Sequence, residues 1–465
     1  MNDFSRLALP DTLLANLDGL GYHEMTPIQA ASLPVMLAGR DLIAQARTGS
    51  GKTAAFGLGL LTRLDTSTRR VQALVLCPTR ELAEQVGREI RRLACKLSNV
   101  KLTNLCGGSP LHAQTTSLRH GAHIVVGTPG RIRKHLRKGS LQLDALRTLV
   151  LDEADRMLDM GFIDDMNAIV AHCPEARQTL LFSATYPEAI EEISQRFQRQ
   201  PQRISAEPAH DEAGIEQAFY EIREETRSEA LLALLAHHRP EAALIFCNTK
   251  RQCDELAALL RERGHHALAL HGDLAQRARN DVLVQFANGS CRLLVASDVA
   301  ARGLDIDHLP LVINHRLSPD PQTHVHRIGR TGRAGRRGLA LSLFDPAEAH
   351  RLAAIEIMLG ETITTMNIDD LPARGNTSRE GRPAMTTLQI GGGRRDKLRR
   401  GDILGALTRD GGLEGGQVGR IDVFERHSCV AVMDEAAAEA LRHLQGGRIK
   451  GRRFKVRRLT ANTCR

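Results

Sequence analysis

The chain has 465 residues, 42% of them hydrophobic, and a formal net charge of +9. That length corresponds to about three domains of ordinary size. No apolar run is long enough to span a bilayer, and the first residues lack the basic start and apolar block of a secretory leader, so the membrane and secreted classes are set aside in favour of a cytoplasmic protein.

The charge is unevenly placed. Residues 385–465 hold 17 Lys+Arg against 9 Asp+Glu, so nearly the whole excess sits there. A basic module on a near-neutral body suits an anionic polymer. None of the nine cysteines forms C-x-x-C, and several fall in apolar runs, as reduced buried thiols do. The histidines show no ligand spacing paired with cysteine, so no zinc is expected.

In chain order, Phe4 and the stretch Thr26-Pro27-Ile28-Gln29 come first. The planar Gln29 amide offers an acceptor and two donors, which match the N7 and N6 edge of adenine. Phe4 offers a ring for stacking on a base. An apolar strand at 41–45 then runs into Ala46-Arg47-Thr48-Gly49-Ser50-Gly51-Lys52-Thr53, followed by a helical stretch. Strand, glycine-rich turn and Gly-Lys-Thr opening a helix form a phosphate-binding loop. Gly49 and Gly51 let backbone N–H groups approach a polyphosphate, Lys52 reaches the β- and γ-phosphates, and the Thr53 hydroxyl can ligate Mg²⁺. The first glycine of the usual pattern is Ala46 here.

Apolar runs at 71–77, 123–126, 148–151 and 178–182 alternate with helical stretches. Near-continuous Val/Leu/Ile runs between helices predict a parallel sheet covered on both faces, with functional groups at the carboxyl ends of its strands. The polar clusters fall there: Pro78-Thr79-Arg80, Thr128-Pro129-Gly130-Arg131, Asp152-Glu153-Ala154-Asp155 and Ser183-Ala184-Thr185. Asp152 stands at a strand tip, where a Mg²⁺ partner belongs, and Glu153 can orient or deprotonate a water. The polar segment 202–215 reads as a connection. Runs at 242–247, 267–270, 292–296, 311–314 and 338–344 predict a second parallel α/β domain, without a phosphate loop of its own. After a polar linker at 361–384, strands at 386–390, 419–423, 428–432 and 453–459 with helices at 403–408 and 434–444 give a β-α-β-β-α-β order, that of a small RRM-like sheet.

Together, the Asp-Glu-Ala-Asp at 152–155, Ala-x-x-x-x-Gly-Lys-Thr at 46–53, Ser-Ala-Thr at 183–185 and His326-Arg327-Ile328-Gly329-Arg330-Thr331-Gly332-Arg333 resemble a DEAD-box ATP-dependent RNA helicase. In that family Ala46 is the usual form. The stretches Gly391-Gly392-Gly393-Arg394-Arg395-Asp396-Lys397-Leu398-Arg399-Arg400 and Gly446-Gly447-Arg448-Ile449-Lys450 are similar to the bacterial DbpA type. The resemblance implies an α/β fold of two tandem RecA-like parallel-sheet domains, residues 1–205 and 216–360, followed after the 361–384 linker by a small α+β RRM-like domain, residues 385–465. It implies ATP and Mg²⁺ as cofactors, with metal at Thr53 and Asp152, and RNA as partner of a monomeric enzyme.

The same resemblance assigns roles by position. Gln29 would read adenine, and Gly303 and Asp305 would lie near the ribose. Asp155, Ser183, Thr185 and His326 would couple the nucleotide to domain closure. Arg330 and Arg333 would neutralise charge on the γ-phosphate, an effect of about 10³–10⁵ in rate. The RNA track would comprise Pro78, Thr79, Arg80, Gly108, Thr128, Arg131, Gly272, Ser297 and Arg302. In the tail, Arg394, Arg395, Lys397, Arg399, Arg448 and Lys450 would hold RNA, a 23S rRNA hairpin in assembling large (50S) ribosomal subunits. Only Phe424 and Phe454 remain as aromatics after residue 385, so charge carries more of that binding than base stacking. The implied activity is RNA-stimulated ATP hydrolysis with local, non-processive unwinding. Two other classes remain at this point: a nucleotide-switched RNA-binding scaffold with little unwinding, and a DNA translocase.

Overall fold

Seven short strands build the first domain: β1 (Leu42–Gln45), β2 (Ala73–Leu76), β3 (Leu102–Leu105), β4 (Ile124–Gly127), β5 (Thr148–Leu151), β6 (Gln178–Ser183) and β7 (Gln202–Ser205). They pair in the order β3-β4-β2-β5-β6-β1-β7, every pair parallel. The computed structural model describes residues 3–46, 49–186, 188–205, 214–301, 309–332, 337–371, 383–409 and 412–461. Strands β2, β4, β5 and β6 are buried at every position because their residues are apolar on both faces. Alternate residues feed two cores: Leu42, Ala44, Val75 and Phe182 enter one, while Ile43, Leu74, Leu76 and Leu181 enter the other. Helices supply the far walls. In Arg80–Leu93 the buried Leu82, Ala83, Val86, Ile90 and Leu93 form one helical stripe, and the Thr79 hydroxyl caps its start.

The second domain repeats the layout with β8 (Ile215–Glu221), β9 (Ala243–Cys247), β10 (Ala267–Leu270), β11 (Leu293–Ser297), β12 (Leu311–Asn314), β13 (Gly338–Phe344) and β14 (Thr365–Asn367). Their order is β10-β11-β9-β12-β13-β8-β14, again all parallel. Two stretches read as connections therefore hold edge strands: 202–205 joins the first sheet through β1, and 365–367 joins the second through β8. The fully buried Arg227 ties this domain together. Its guanidinium donates to Glu224, Asp345 and Glu348 and to the carbonyls of His315 and Leu343.

The C-terminal module forms an antiparallel sheet of β15 (Met385–Ile390), β16 (Val418–Val423), β17 (Ser428–Met433) and β18 (Val456–Arg458), in the order β16-β17-β15-β18. With the helices Arg400–Thr408 and Ala437–Gly446 it follows the β-α-β-β-α-β order read from sequence. Leu388, Ile390, Val430 and Val432 point into the core under the two helices. The opposite face, carrying Thr387, Gln389 and Cys429, lies against the second domain's Gln276–Ala287 helix and the turn after it. Gln389 donates to the buried Asp281 at 3.0 Å, Asn288 donates to Thr387, and Val284 packs with Cys429 and Leu459.

All described cysteines are free thiols. Replacing Arg227 with Met removes the shorter of two ion pairs to the buried Glu348, leaving Arg351 at 3.1 Å, and removing one partner of a buried ion pair costs up to about 3–5 kcal/mol. The urea midpoint of the second domain's transition should fall accordingly in the R227M chain. His324 gives a second check. It is fully buried, its Nε2 faces Gln217 Oε1 at 3.1 Å, and burial followed by the Arg327 charge lowers its pKa to about 4. A folded value below the ordinary 6.5 means that neutral His324 stabilises the fold above pH 6.5. That contribution, up to about 3 kcal/mol, is lost as pH falls from 6.5 toward 4. Melting temperatures between those pH values should drop less steeply in His324→Gln than in the native chain.

Candidate functional site

The carboxyl end of β1 leads directly into the phosphate loop. The Ala46 N–H donates to the Ser183 carbonyl at the end of β6, so the loop starts anchored to the sheet. Gly49 and Gly51 have φ of 88° and 93°, the left-handed region that glycine enters without strain. A Cβ at Gly51 would come within 2.5 Å of Gln29 Nε2. The helix Lys52–Thr62 then begins with four N–H groups facing the loop. Lys52 is buried, and its Nζ donates to the Ala46 carbonyl at 2.8 Å, spanning the loop a polyphosphate would enter. Thr53 follows on the first helical turn.

Gln29 is tied to the same loop. Its Oε1 accepts from Thr26 N at 2.9 Å in a capping box, and its Nε2 donates to the Gly51 carbonyl at 3.1 Å. Thr26 Oγ1 donates to the Ser50 carbonyl. The amide keeps one N–H and one lone pair for a ligand. Phe4 is 3% exposed and packs into the first domain's core.

Asp152 sits at the tip of β5, where its N–H bonds Leu76 O. Burial pushes its carboxyl up to about 7, opposed by the Lys52 ammonium and reinforced by Glu153. A buried carboxylate held in tension with one ammonium is a site where a further cation would be stabilising. Asp152 and Thr53 are the oxygen donors available for Mg²⁺. Glu153 caps the next helix in the left-handed region at φ 52°, a conformation that strains a non-glycine residue, and pairs with the buried Arg156 at 3.6 Å.

Asp155 joins two motifs. One carboxylate oxygen accepts from Ala184 N (3.2 Å), Thr185 N (3.1 Å) and Thr185 Oγ1 (3.0 Å), and the other accepts from Arg156 N. Ser183 Oγ is buried among these groups without a hydrogen-bond partner.

Three family profiles cover most of the chain: DEAD/DEAH box helicase at residues 26–193, helicase conserved C-terminal domain at 226–335, and DbpA RNA binding domain at 387–458. The chain is 53% identical over 460 residues to the ATP-dependent RNA helicase DbpA of Escherichia coli, covering 99% of this chain and all of that one. The chain is a DEAD-box ATP-dependent RNA helicase of the DbpA type. The DbpA of Bacillus subtilis is 36% identical over 475 residues, with 98% of this chain and 99% of that one covered. Among solved structures, Saccharomyces cerevisiae Dbp5 bound to RNA and ADP BeF3 matches with a TM-score of 0.73 and 30% identity, over 80% of this chain and 97% of that one.

In this DbpA-type helicase the expected RNA-track residues of the first domain cluster at strand ends and helix starts. Pro78, Thr79 and Arg80 follow β2; Thr128 and Arg131 follow β4; the exposed Gly108 (φ 74°) follows β3. Arg131 donates to Ser109 O and to Gln114 Oε1, which also meets His135 Nε2 at 3.0 Å. Gln114 and His135, both buried, are thus part of the support for this track and carried no sequence signal. In the second domain Ser297 ends β11 and is buried, while Gly272 is exposed after β10. His326 lies on the Pro321–Ile328 helix, and Arg330 just beyond it is buried. The neighbouring Arg327 was missed as a functional support. Its guanidinium donates to both oxygens of Asp298 and to Asn248 and Asn314. The expected Arg47, Thr48, Arg302, Gly303, Asp305 and Arg333 lie outside the described residues.

In the C-terminal module the two basic stretches meet. Lys450 Nζ donates to the Lys397 carbonyl at 3.0 Å and lies 3.5 Å from Asp402. Arg394, Arg399 and Arg448 are exposed, and Arg395 pairs with Glu425. Phe424 stacks on His427 and lies against the Val284 cluster, and Phe454 packs on the module's core.

Replacing Asp155 with Ala removes the acceptor of three part-buried donors at Ala184 and Thr185, each loss being at most about 1–3 kcal/mol. Hydrogen exchange at the Ala184 and Thr185 amides should accelerate by about tenfold or more in that variant, while exchange along β2 stays as in the native chain.

Proposed function

We propose that this helicase acts as an RNA-stimulated ATPase that separates short duplexes locally, and that its C-terminal module directs it to a 23S rRNA hairpin during assembly of the large ribosomal subunit. The observation that carries the catalytic part is the buried Lys52 ammonium spanning the glycine loop to the Ala46 carbonyl at 2.8 Å, with the buried Asp152 and Glu153 following β5 in the same sheet. In this reading Lys52 holds the β- and γ-phosphates, and Gln29 reads the adenine with the hydrogen-bonding capacity left over from the loop. Asp152 and Thr53 hold Mg²⁺, which supplies charge neutralisation on the phosphates when bound. Glu153 orients the attacking water and takes its proton. Arg330 and Arg333 are the second domain's contribution to charge stabilisation on the γ-phosphate.

Asp155 links nucleotide to polymer in the same reading. A shift at the Asp152–Glu153 tip is felt at Ala184 and Thr185 through its carboxylate. Ligands that favour one closed state reinforce each other, so RNA raises ATP turnover and ATP tightens RNA. Gripping one strand and bending it costs about 1.4 kcal/mol per separated stack, so a single closure opens a few steps. The rRNA target is supported by the match of residues 387–458 to the DbpA RNA binding domain and by the full-length likeness to E. coli DbpA. The Dbp5 likeness, a chain bound to RNA and ADP BeF3, supports the shared use of RNA and nucleotide.

Two measurements test this. ATP affinity should fall by about a hundredfold or more in Lys52→Ala, and an unchanged affinity refutes the loop assignment. Steady-state ATP turnover of the full chain should rise most with fragments of 23S rRNA, less with unrelated RNA and least with DNA of equal sequence. Equal stimulation by every RNA removes the rRNA assignment, and no turnover under any condition leaves a nucleotide-switched scaffold.

A further inference from the structure

Three carboxylates crowd the end of β5, and all are buried: Asp152 and Glu153 are 3% exposed and Asp155 6%. Two of them are answered from other parts of the sheet. The Lys52 ammonium offsets Asp152, and Asp155 accepts from Ala184 and Thr185. Glu153 is met from its own helix. Arg156, one turn along Ala154–Asp159, brings Nε to 3.6 Å from Glu153 Oε2.

We infer that Arg156 is a positioning residue for ATP hydrolysis: its guanidinium holds the Glu153 carboxylate in the orientation that receives the attacking water. This rests on the reading of Glu153 as the group that orients that water and takes its proton. The fold alone gives little reason for a guanidinium at this place. Arg156 lies in the first turn of a six-residue helix, the end at which the helix dipole disfavours a cation. It is 2% exposed, so its charge is withdrawn from water, and a buried ion pair is seldom more stable than apolar residues of the same volume. The buried Arg227 and Arg327 are different, because each ties together elements far apart in the chain. The ion pair of Arg156 reaches back only three positions.

The local backbone gives an independent reason. Glu153 holds φ 52° and ψ 54°, a conformation that strains a residue with a side chain and persists only where its surroundings enforce it. Its carbonyl accepts from the Arg156 N–H at 3.1 Å and the Met157 N–H at 3.2 Å. The turn that strains Glu153 therefore also fixes Arg156 beside it. Backbone and ion pair act together on one side chain. The distance suits that task. Arg327 grips both oxygens of Asp298 at 2.6 and 2.8 Å, as a structural clamp does. At 3.6 Å the Arg156 pair lies beyond hydrogen-bond range, so it steers the carboxylate by charge and takes up none of its lone pairs. A reacting group displaced by about 1 Å costs about a hundredfold in rate, which is the scale on which such steering counts.

The test uses the full chain with ATP and magnesium, at saturating concentration of the RNA that stimulates it most. Glu153→Gln should lower kcat by about a hundredfold or more. Arg156→Met should lower kcat by about ten- to a hundredfold while KM for ATP and the affinity for a fluorescent ADP analogue stay within about threefold of native. Arg156→Lys returns the charge without the planar fork and should recover part of the loss. Added to Glu153→Gln, the Arg156→Met change should cost nothing further, because the two side chains act as a unit. The double variant removes both charges and leaves no lone buried ion, so it keeps the comparison open where Arg156→Met alone is unstable. Native kcat in Arg156→Met beside a slow Glu153→Gln overturns the positioning role and leaves the Glu153 reading standing. A native rate in Glu153→Gln overturns that reading and the inference with it. An Arg156→Met loss that multiplies with the Glu153→Gln loss, or that falls on ATP affinity rather than kcat, assigns Arg156 to the fold and overturns the inference as well.

Discussion

A parallel sheet buried on both faces can meet solvent and ligands only at its strand ends. That constraint arranges the first domain. Residues 73–76, 124–127, 149–151 and 180–182 are apolar on both sides, and the polar clusters that follow them sit at the carboxyl ends. The phosphate loop, the acidic cluster and the Ser-Ala-Thr turn meet there because the strands that carry them, β1, β5 and β6, are neighbours. Chain segments distant in sequence thereby come within hydrogen-bond reach of one another: Asp155 and Thr185 are 30 residues apart, and Ala46 and Ser183 are more than a hundred apart.

At that edge every polar group serves both fold and chemistry. Gln29 caps its own helix, holds the phosphate loop and keeps part of its amide for a ligand. Lys52 spans the loop while offsetting the charge of Asp152. Such double use is economical, since an unpartnered buried polar group is costly.

The two-domain plan was legible because central strands of a doubly covered sheet are continuous apolar runs, and those stand out at any position. The edges were not. β3 alternates burial, β7 is polar at three of its four positions, and β14 is fully exposed, so each lacks the run that marks its neighbours. β8 opens in the stretch read as a connection, and its first residues are only partly buried. The ATP motifs were visible as local spacing, which glycine geometry and helix starts enforce over a few residues. Their supports were not. Arg327 was quoted for the motif it sits in, yet its burial against Asp298, Asn248 and Asn314 depends on residues scattered over 80 positions. Phe4 likewise packs on core partners that are distant in sequence.

The C-terminal module carries this argument furthest. Along 385–390 the alternation of Thr386, Thr387, Leu388, Gln389 and Ile390 announces one apolar and one polar face. A polar sheet face rich in Thr and Gln, flanked by Arg457 and Arg458, looks from sequence like a surface for nucleic acid. In the fold its hydrogen-bonding capacity goes to Asp281, Asn288 and Ser290 of the second domain. The buried Asp281 carboxylate, itself raised in pKa chiefly by burial, needs Gln389 as much as Gln389 needs it. Polar complementarity of this kind fixes orientation more sharply than apolar contact, because a small slip orphans several groups at once. The module is thereby held at a fixed attitude to the second domain.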